Sequence, residues 1–207
     1  MHLTREPPYE YCAARFLNQW ESKERPLWEA LSRDPNQVDQ VDVRKALHSF
    51  QVARSFAGLE KKADSIVRAL CEASEGLEEQ NVVERVENLA ARFREDFGSR
   101  NLSAASKLLW LRCRSPVLIF DSRARDALRQ FGHKKVQQSY CAFCLAWRDE
   151  FNRRQAAIEN AIQELGRYKA FTSAWLKSQD KFHDEITARW FTERTFDIFL
   201  WVCGGKS

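Results

Sequence analysis

Two residues of this 207-residue chain, Lys107 and Asp121, have the type and placement that covalent chemistry requires. Lys107 lies about one turn into a predicted short helix, where the positive end of the helix dipole disfavours an ammonium. The neutral amine that this position favours is the nucleophilic form. Asp121 follows the apolar run 117–120 and opens the next predicted helix, whose free N–H groups favour an ionised carboxylate. The sequence thus places an amine and a carboxylate at the starts of two successive helices.

The segment around this pair is basic and suits a polyanionic partner. Residues 98–154 carry 12 Lys and Arg against 4 Asp and Glu, a net charge of +8, whereas the remainder of the chain carries −4. A local positive field of this kind is typical of nucleic-acid binding. The start of the helix that carries Lys107 has free N–H groups, which form an anion site for a phosphate, and Asn101 or Ser103 can cap it. We therefore predict nucleic-acid contacts from Arg100, Asn101, Ser103, Ser106, Arg123 and Arg125.

The elements that must position these residues are helices. Gly occurs 7 times and Pro 5 times, too few for the turns of a many-stranded β fold. Apolar residues recur at helical spacing nearly throughout, which predicts an all-α fold of about ten helices joined by short connections. The third helix, with Val43 and Leu47, is expected to end near Gly58, and every glycine falls at a predicted helix end. The run 116–120 is predicted to be a buried extended connection.

We expect one unit over residues 1–207, built from two lobes. One lobe would span residues 38–131 and contain the hairpin, and the other would combine residues 1–37 with residues 132–207. No apolar run approaches the roughly 20 residues of a membrane span, and the first residues lack the apolar core of a signal peptide. Six cysteines at irregular spacing predict reduced thiols. We therefore expect a cytoplasmic monomer that does not bind a membrane.

The segment from Phe97 to Arg129 resembles the helix-hairpin-helix DNA glycosylases, the superfamily of 8-oxoguanine glycosylase and endonuclease III. In that family a hairpin opens a helix with a catalytic Lys, and a buried apolar run leads to a catalytic Asp at the start of the following helix. The matching residues here are Lys107 in Leu-Ser-Ala-Ala-Ser-Lys and Asp121 in Ile-Phe-Asp-Ser-Arg-Ala-Arg. The segment is also similar to a bacterial branch of 8-oxoguanine-glycosylase-like proteins, some of which occur in anti-phage defence settings.

This resemblance implies an enzyme that removes a modified or damaged base from double-stranded DNA. The nucleotide must be extruded from the duplex, because its base cannot be reached inside the helix. Asp121 would stabilise the sugar cation, and Lys107 would attack C1′ to form a Schiff base, which allows strand cleavage. Gln37, in the loop 34–37, would fill the gap left by the extruded base. We expect no metal and no cofactor.

Two other functions fit parts of the sequence. A non-catalytic helical nucleic-acid-binding or regulatory protein would use the same basic segment. A helical RNase with an Arg-x4-6-His motif is a third reading, although Arg129 and His133 have only three residues between them. The pair Cys141 and Cys144 forms a C-x-x-C that lacks further ligands at zinc-site or iron–sulfur spacing, and we predict that it packs in the core.

Overall fold

A computed structural model describes residues 6–171 and 179–205 of the chain. Within these residues the structure has ten α-helices and no β-strand, which confirms the predicted all-α fold. The helices are α1 (Tyr9–Gln19), α2 (Arg25–Leu31), α3 (Gln40–Ser49), α4 (Leu59–Ser74), α5 (Val82–Phe97), α6 (Leu102–Cys113), α7 (Ser122–Gln130), α8 (Tyr140–Gln163), α9 (Gln179–Thr187) and α10 (Arg189–Gly204). Among them, none has both the length and the apolar content needed to cross a bilayer.

The chain divides into two compact units. The central unit is Lys23–Phe120, and the terminal unit combines Met1–Ser22 with Asp121–Ser207. The predicted lobes grouped residues 1–37 with residues 132–207. In the structure, residues 23–37 lie in the central unit, because α2 packs against α3 and α6. Residues 121–131 lie in the terminal unit because α7 packs extensively along α10.

In the central unit, amphipathic helices surround one apolar helix. The buried side chains of α4 recur at helical spacing, with Ala63, Ile66 and Leu70 on its inner face. By contrast, residues 104–111 of α6 are all buried, so this helix has no solvent-facing stripe. A helix that is apolar on all sides belongs in a core. Because Lys107 belongs to this helix, it lies in the interior of the central unit.

In the terminal unit, α10 is the corresponding buried helix. Its Phe196 and Phe199 pack on the rings of α8 and α1, with the Trp147 and Phe196 centroids 5.1 Å apart. The last residue of α10, Gly204, lies against the backbone of α7. A Cβ atom at Gly204 would stand 1.9 Å from the carbonyl oxygen of Arg123, so only glycine fits there. Gly204 is at a helix end as predicted, but close packing is the reason for the glycine.

The third helix is shorter than the sequence analysis predicted. It ends at Ser49 instead of near Gly58, and a short 3-10 turn, Ala53–Ser55, follows. The chain leaves α3 through Gln51, which has a φ of 57°. The prediction was wrong because Gln51 occupies a left-handed position that glycine usually marks in a sequence.

Candidate functional site

The start of α6 is built as the sequence predicts. Asn101 is its N-cap, and its side-chain Oδ1 accepts a hydrogen bond from the Ala104 N–H at 2.9 Å. Ser103 is half-buried in the first turn. The Asn101 carboxamide therefore satisfies one of the free N–H groups that were expected to face a phosphate.

Lys107 points into the central unit. Its side chain is only 8% exposed, and its Nζ lies 5.7 Å from the ring centroid of Phe50, at the end of α3. This distance is within the range of a cation–π contact. The sequence did not identify Phe50 as part of the site, because an aromatic residue at a helical position is read as core.

Ser106 has a structural task next to Lys107. Its Oγ is fully buried and accepts a hydrogen bond of 2.9 Å from the backbone N–H of Phe120. Phe120 is the last residue of the buried extended run 117–120, which the sequence analysis predicted. The hydrogen bond fixes the end of that run against the turn of α6 that carries Lys107. Burial leaves Ser106 no surface for the predicted DNA contact, and we exclude it from the nucleic-acid surface.

Asp121 follows Phe120 and is the N-cap of α7. Its Oδ1 accepts a hydrogen bond of 2.9 Å from the Arg123 N–H, in the capping geometry that the sequence predicts. The side chain is half-buried. The carboxylate thus stands at the positive end of a helix dipole, which favours its ionised form.

Much of the basic segment is engaged within the protein. Arg112 donates from Nε to the Ser74 hydroxyl at 2.8 Å and from Nη1 to the carbonyl oxygens of Leu31 and Arg33. Its guanidinium therefore fastens the end of α2 to α6. The guanidinium of Arg114 stacks over Trp28 at 4.0 Å. A sequence cannot show whether an arginine faces a phosphate or a carbonyl of its own chain.

The predicted DNA contacts that remain at the surface lie in both units. In the central unit, Arg100 is exposed and forms an ion pair with Glu87, and Gln37 is exposed on a 3-10 turn. In the terminal unit, Arg123 is exposed and its guanidinium lies 4.1 Å from the Trp201 ring, while Arg125 is half-buried.

A buried carboxyl group in α10 escaped the sequence analysis. Asp197 is 7% exposed, and burial raises its pKa to about 7, although the Arg194 guanidinium and the Trp147 N–H favour the ionised form. Trp147 donates to Asp197 Oδ1 at 2.8 Å, and Arg194 Nη1 lies 3.5 Å from Oδ2. Asp121 is close enough to contribute to the raised pKa. The sequence signal for this buried carboxyl group was the position of Asp197 between two apolar residues, Phe196 and Ile198.

His133 belongs to a cluster of polar and charged side chains in the terminal unit. Its Nε2 lies 2.9 Å from Glu150 and 3.7 Å from Asp149. These three side chains have potential metal-ligand atoms within 4.8 Å of one another. Arg153 and Arg154 also contact Glu150, so two guanidinium groups occupy the positions that a cation would need. The arrangement fits an ion-pair network better than a metal centre.

The C-x-x-C pair divides between core and surface. Cys144 is buried as predicted, and burial raises the pKa of its thiol to about 12. Cys141 is exposed, because it lies on the outer side of α8, so its prediction as a core residue was wrong. A neutral buried thiol is a poor metal ligand.

No protein-family model, curated protein or solved structure matches this chain.

Proposed function

We propose that the protein is a DNA glycosylase that removes a modified or damaged base from double-stranded DNA. One observation carries the proposal: the hydrogen bond from the Phe120 N–H to Ser106 Oγ. It holds the run that leads to Asp121 against the turn of α6 that bears Lys107. The glycosylase resemblance rests on the same segment. In this proposal the enzyme works as a cytoplasmic monomer, with no metal or cofactor.

Asp121 has the role of electrostatic stabiliser in the proposed reaction. As the bond between C1′ and the base breaks, the base leaves with the electron pair and the sugar becomes a cation. An ionised carboxylate beside that cation lowers the energy of the transition state. The N-cap position supports this role because the helix dipole favours the carboxylate over the acid.

Lys107 has the role of nucleophile. The neutral amine donates its electron pair to C1′ and displaces the base, and a proton leaves the nitrogen. The nitrogen lone pair then forms a double bond to C1′, while O4′ leaves with the electron pair of the C1′–O4′ bond and takes up a proton, which opens the sugar ring and gives the protonated Schiff base. Loss of a proton from C2′ then expels the 3′ phosphate, which cleaves the strand. Without attack by Lys107, a water molecule would complete base removal alone.

A panel of duplexes tests the proposal. Each duplex carries one modified base, either an oxidised purine or a bulky modified pyrimidine, and base release is scored by alkaline cleavage at the abasic site. We expect release from at least one duplex, and a loss of roughly 100-fold or more in Asp121→Asn, as for removal of one strong electrostatic group. No release from any duplex would contradict the proposal.

Borohydride trapping assigns the role of Lys107. We expect a covalent protein–DNA adduct with the wild-type chain and no adduct with Lys107→Ala. Lys45→Ala is the matched control, because Lys45 is an exposed lysine of the same unit. An adduct that survives in Lys107→Ala would remove this residue from the role of nucleophile.

The contact between Lys107 and Phe50 favours a second candidate function. A cation–π pair that is nearly buried can serve the fold alone. The protein would then be a non-catalytic helical nucleic-acid-binding protein. Salt-dependent duplex binding without release of any base in the panel would identify it.

A further inference from the structure

The end of α3 has the hydrogen bonds of a Schellman motif, with glutamine where glycine is usual. The Val52 N–H donates to the Leu47 carbonyl at 3.0 Å, and the Gln51 N–H donates to the His48 carbonyl at 2.9 Å. These two bonds force Gln51 into the left-handed region, with a φ of 57°. A residue with a side chain is strained in this conformation, and glycine is not.

Two residues with a side chain have a positive φ in the central unit, Gln51 at 57° and Arg114 at 54°. Arg114 follows α6 with a ψ of −90°, outside the left-handed helical region, and the other positive-φ residues of this unit are glycines. Gly58, Gly76 and Gly98 all have a positive φ close to the end of a helix. A Cβ at each of them would meet nothing within 4 Å, so backbone conformation alone explains the glycine. Residues that break such a local rule are concentrated at functional sites. Glutamine at position 51 does not stabilise the end of α3 as glycine would, so we infer that its side chain has another role.

The side chain of Gln51 lines a pocket of about 500 Å³ within the central unit. This volume is in the range of small-molecule sites. Leu59 is a buried apolar residue of the lining, and the lining also contains polar and charged residues. The lining residues are His48, Gln51, Ala53, Arg54, Leu59 and Glu60.

The polar groups of the pocket suit a planar, hydrogen-bonding ligand with a negative charge nearby. The Gln51 carboxamide offers both a donor and an acceptor, which allows paired hydrogen bonds to the edge of a base. Arg54 is exposed at the pocket, and the carboxylate of Glu60 is already engaged in an ion pair with Arg44. Arg54, the one arginine among the six lining residues, has a guanidinium that can contact a phosphate.

Phe50 lies in the chain between two lining residues of the pocket, His48 and Gln51. The Phe50 ring centroid lies 5.7 Å from Lys107 Nζ, and Gln51 follows Phe50 directly in the chain. All of these residues belong to the central unit. A base held by Gln51 would thus lie beside the part of the fold that also positions the amine.

We propose that this pocket binds the extruded base of the target nucleotide, and that the Gln51 carboxamide recognises the edge of that base. This proposal rests on the proposed glycosylase function. It gives Gln51 a reason to occupy a strained position, since glycine there would lose the recognition group.

Gln51→Gly separates recognition from folding. We expect a urea midpoint equal to or above that of the wild type, because glycine relieves the strain. We also expect base release to fall by roughly 10- to 100-fold, as for the loss of one paired contact to a base. Gln80→Gly is the matched control, since Gln80 is an exposed glutamine in a turn of the same unit, and it should leave both readouts unchanged.

A titration without catalysis tests the pocket independently. We would add the four deoxynucleosides and the nucleosides of the modified bases to nitrogen-15-labelled protein. Binding should shift the amide signals of His48, Gln51, Ala53 and Arg54 for at least one nucleoside, and Gln51→Gly should abolish the shifts. Absence of these shifts for every nucleoside would overturn the pocket.

The two experiments keep the two proposals apart. Base release at the wild-type rate in Gln51→Gly would overturn the pocket and leave the glycosylase function standing. If the wild-type chain releases no base, the glycosylase function fails. The nucleoside titration then still decides whether the pocket binds a base.

Discussion

Replacement of Asp197 by Asn should change how the stability of the protein depends on pH. The carboxyl group is buried in α10, where Trp147 donates to it at 2.8 Å and Arg194 lies 3.5 Å away. Asn keeps the size of the side chain and an oxygen that can accept from Trp147. The substitution therefore removes the titration while it retains the packing and one hydrogen bond.

The magnitude follows from the raised pKa of Asp197. Burial raises this pKa from 3.8 to about 7, so the folded protein holds a proton that the unfolded chain releases between these values. The contribution of Asp197 to stability is therefore fully present below pH 3.8 and is lost as the pH rises to about 7. Between pH 5 and pH 8 the wild-type chain should lose about 2.5 kcal/mol through this group.

Urea unfolding at several pH values measures this effect, with tryptophan fluorescence as the probe because Trp147 contacts the carboxyl group. Urea is preferred because, unlike guanidinium, it does not screen charges. The difference in unfolding free energy between the wild type and Asp197→Asn should move by about 2.5 kcal/mol from pH 5 to pH 8, in favour of the variant at pH 8. Glu159→Gln, at an exposed position of α8, is the control and should follow the wild type. Parallel curves for Asp197→Asn and the wild type would refute the argument.

Three further substitutions test the packing around the candidate site, each by urea unfolding. Gly204→Ala should destabilise the chain by about 3 kcal/mol, since the backbone must move to make room for the methyl group. Gly166→Ala is the control, because a Cβ at Gly166 meets nothing within 4 Å. Equal effects of the two substitutions would contradict the packing argument. Ser106→Ala should cost about 1–3 kcal/mol and speed hydrogen exchange at the Phe120 amide, and unchanged exchange at that amide would contradict the role of the Ser106 hydroxyl. Arg112→Lys should cost about 2 kcal/mol, because it loses hydrogen bonds to the carbonyl oxygens of Leu31 and Arg33. A urea midpoint equal to that of the wild type would show that the guanidinium is not needed for stability.

The sequence predicts those features that depend on nearby residues. The apolar spacing of Ala63, Ile66 and Leu70 repeats over several turns, and α4 forms where that pattern lies. Asp121 caps α7 because an N-cap bond joins residues two positions apart, so its chemistry is already present in the local sequence.

Features that depend on distant residues could not be predicted in this way. The carbonyl groups that Arg112 binds lie 79 and 81 residues away along the chain, so the local sequence does not show that this arginine is engaged within the protein. Gln51 carries no sequence signal for a left-handed position, since the bonds that impose it form only in the folded helix end. The raised pKa of Asp197 likewise requires the rings of the terminal unit to exclude water from it.

The surroundings of Lys107 add one step to the proposed reaction. Its Nζ lies 5.7 Å from the Phe50 ring centroid, and a neutral amine that attacks C1′ becomes positively charged. The nitrogen must therefore lose a proton during or after attack, and the departing base, which leaves with an electron pair, is a suitable acceptor. A base that is easier to protonate should then be released faster at a given pH. In a reaction by water and Asp121 alone, the proton would come from the water, and Lys107→Ala would leave base release unchanged.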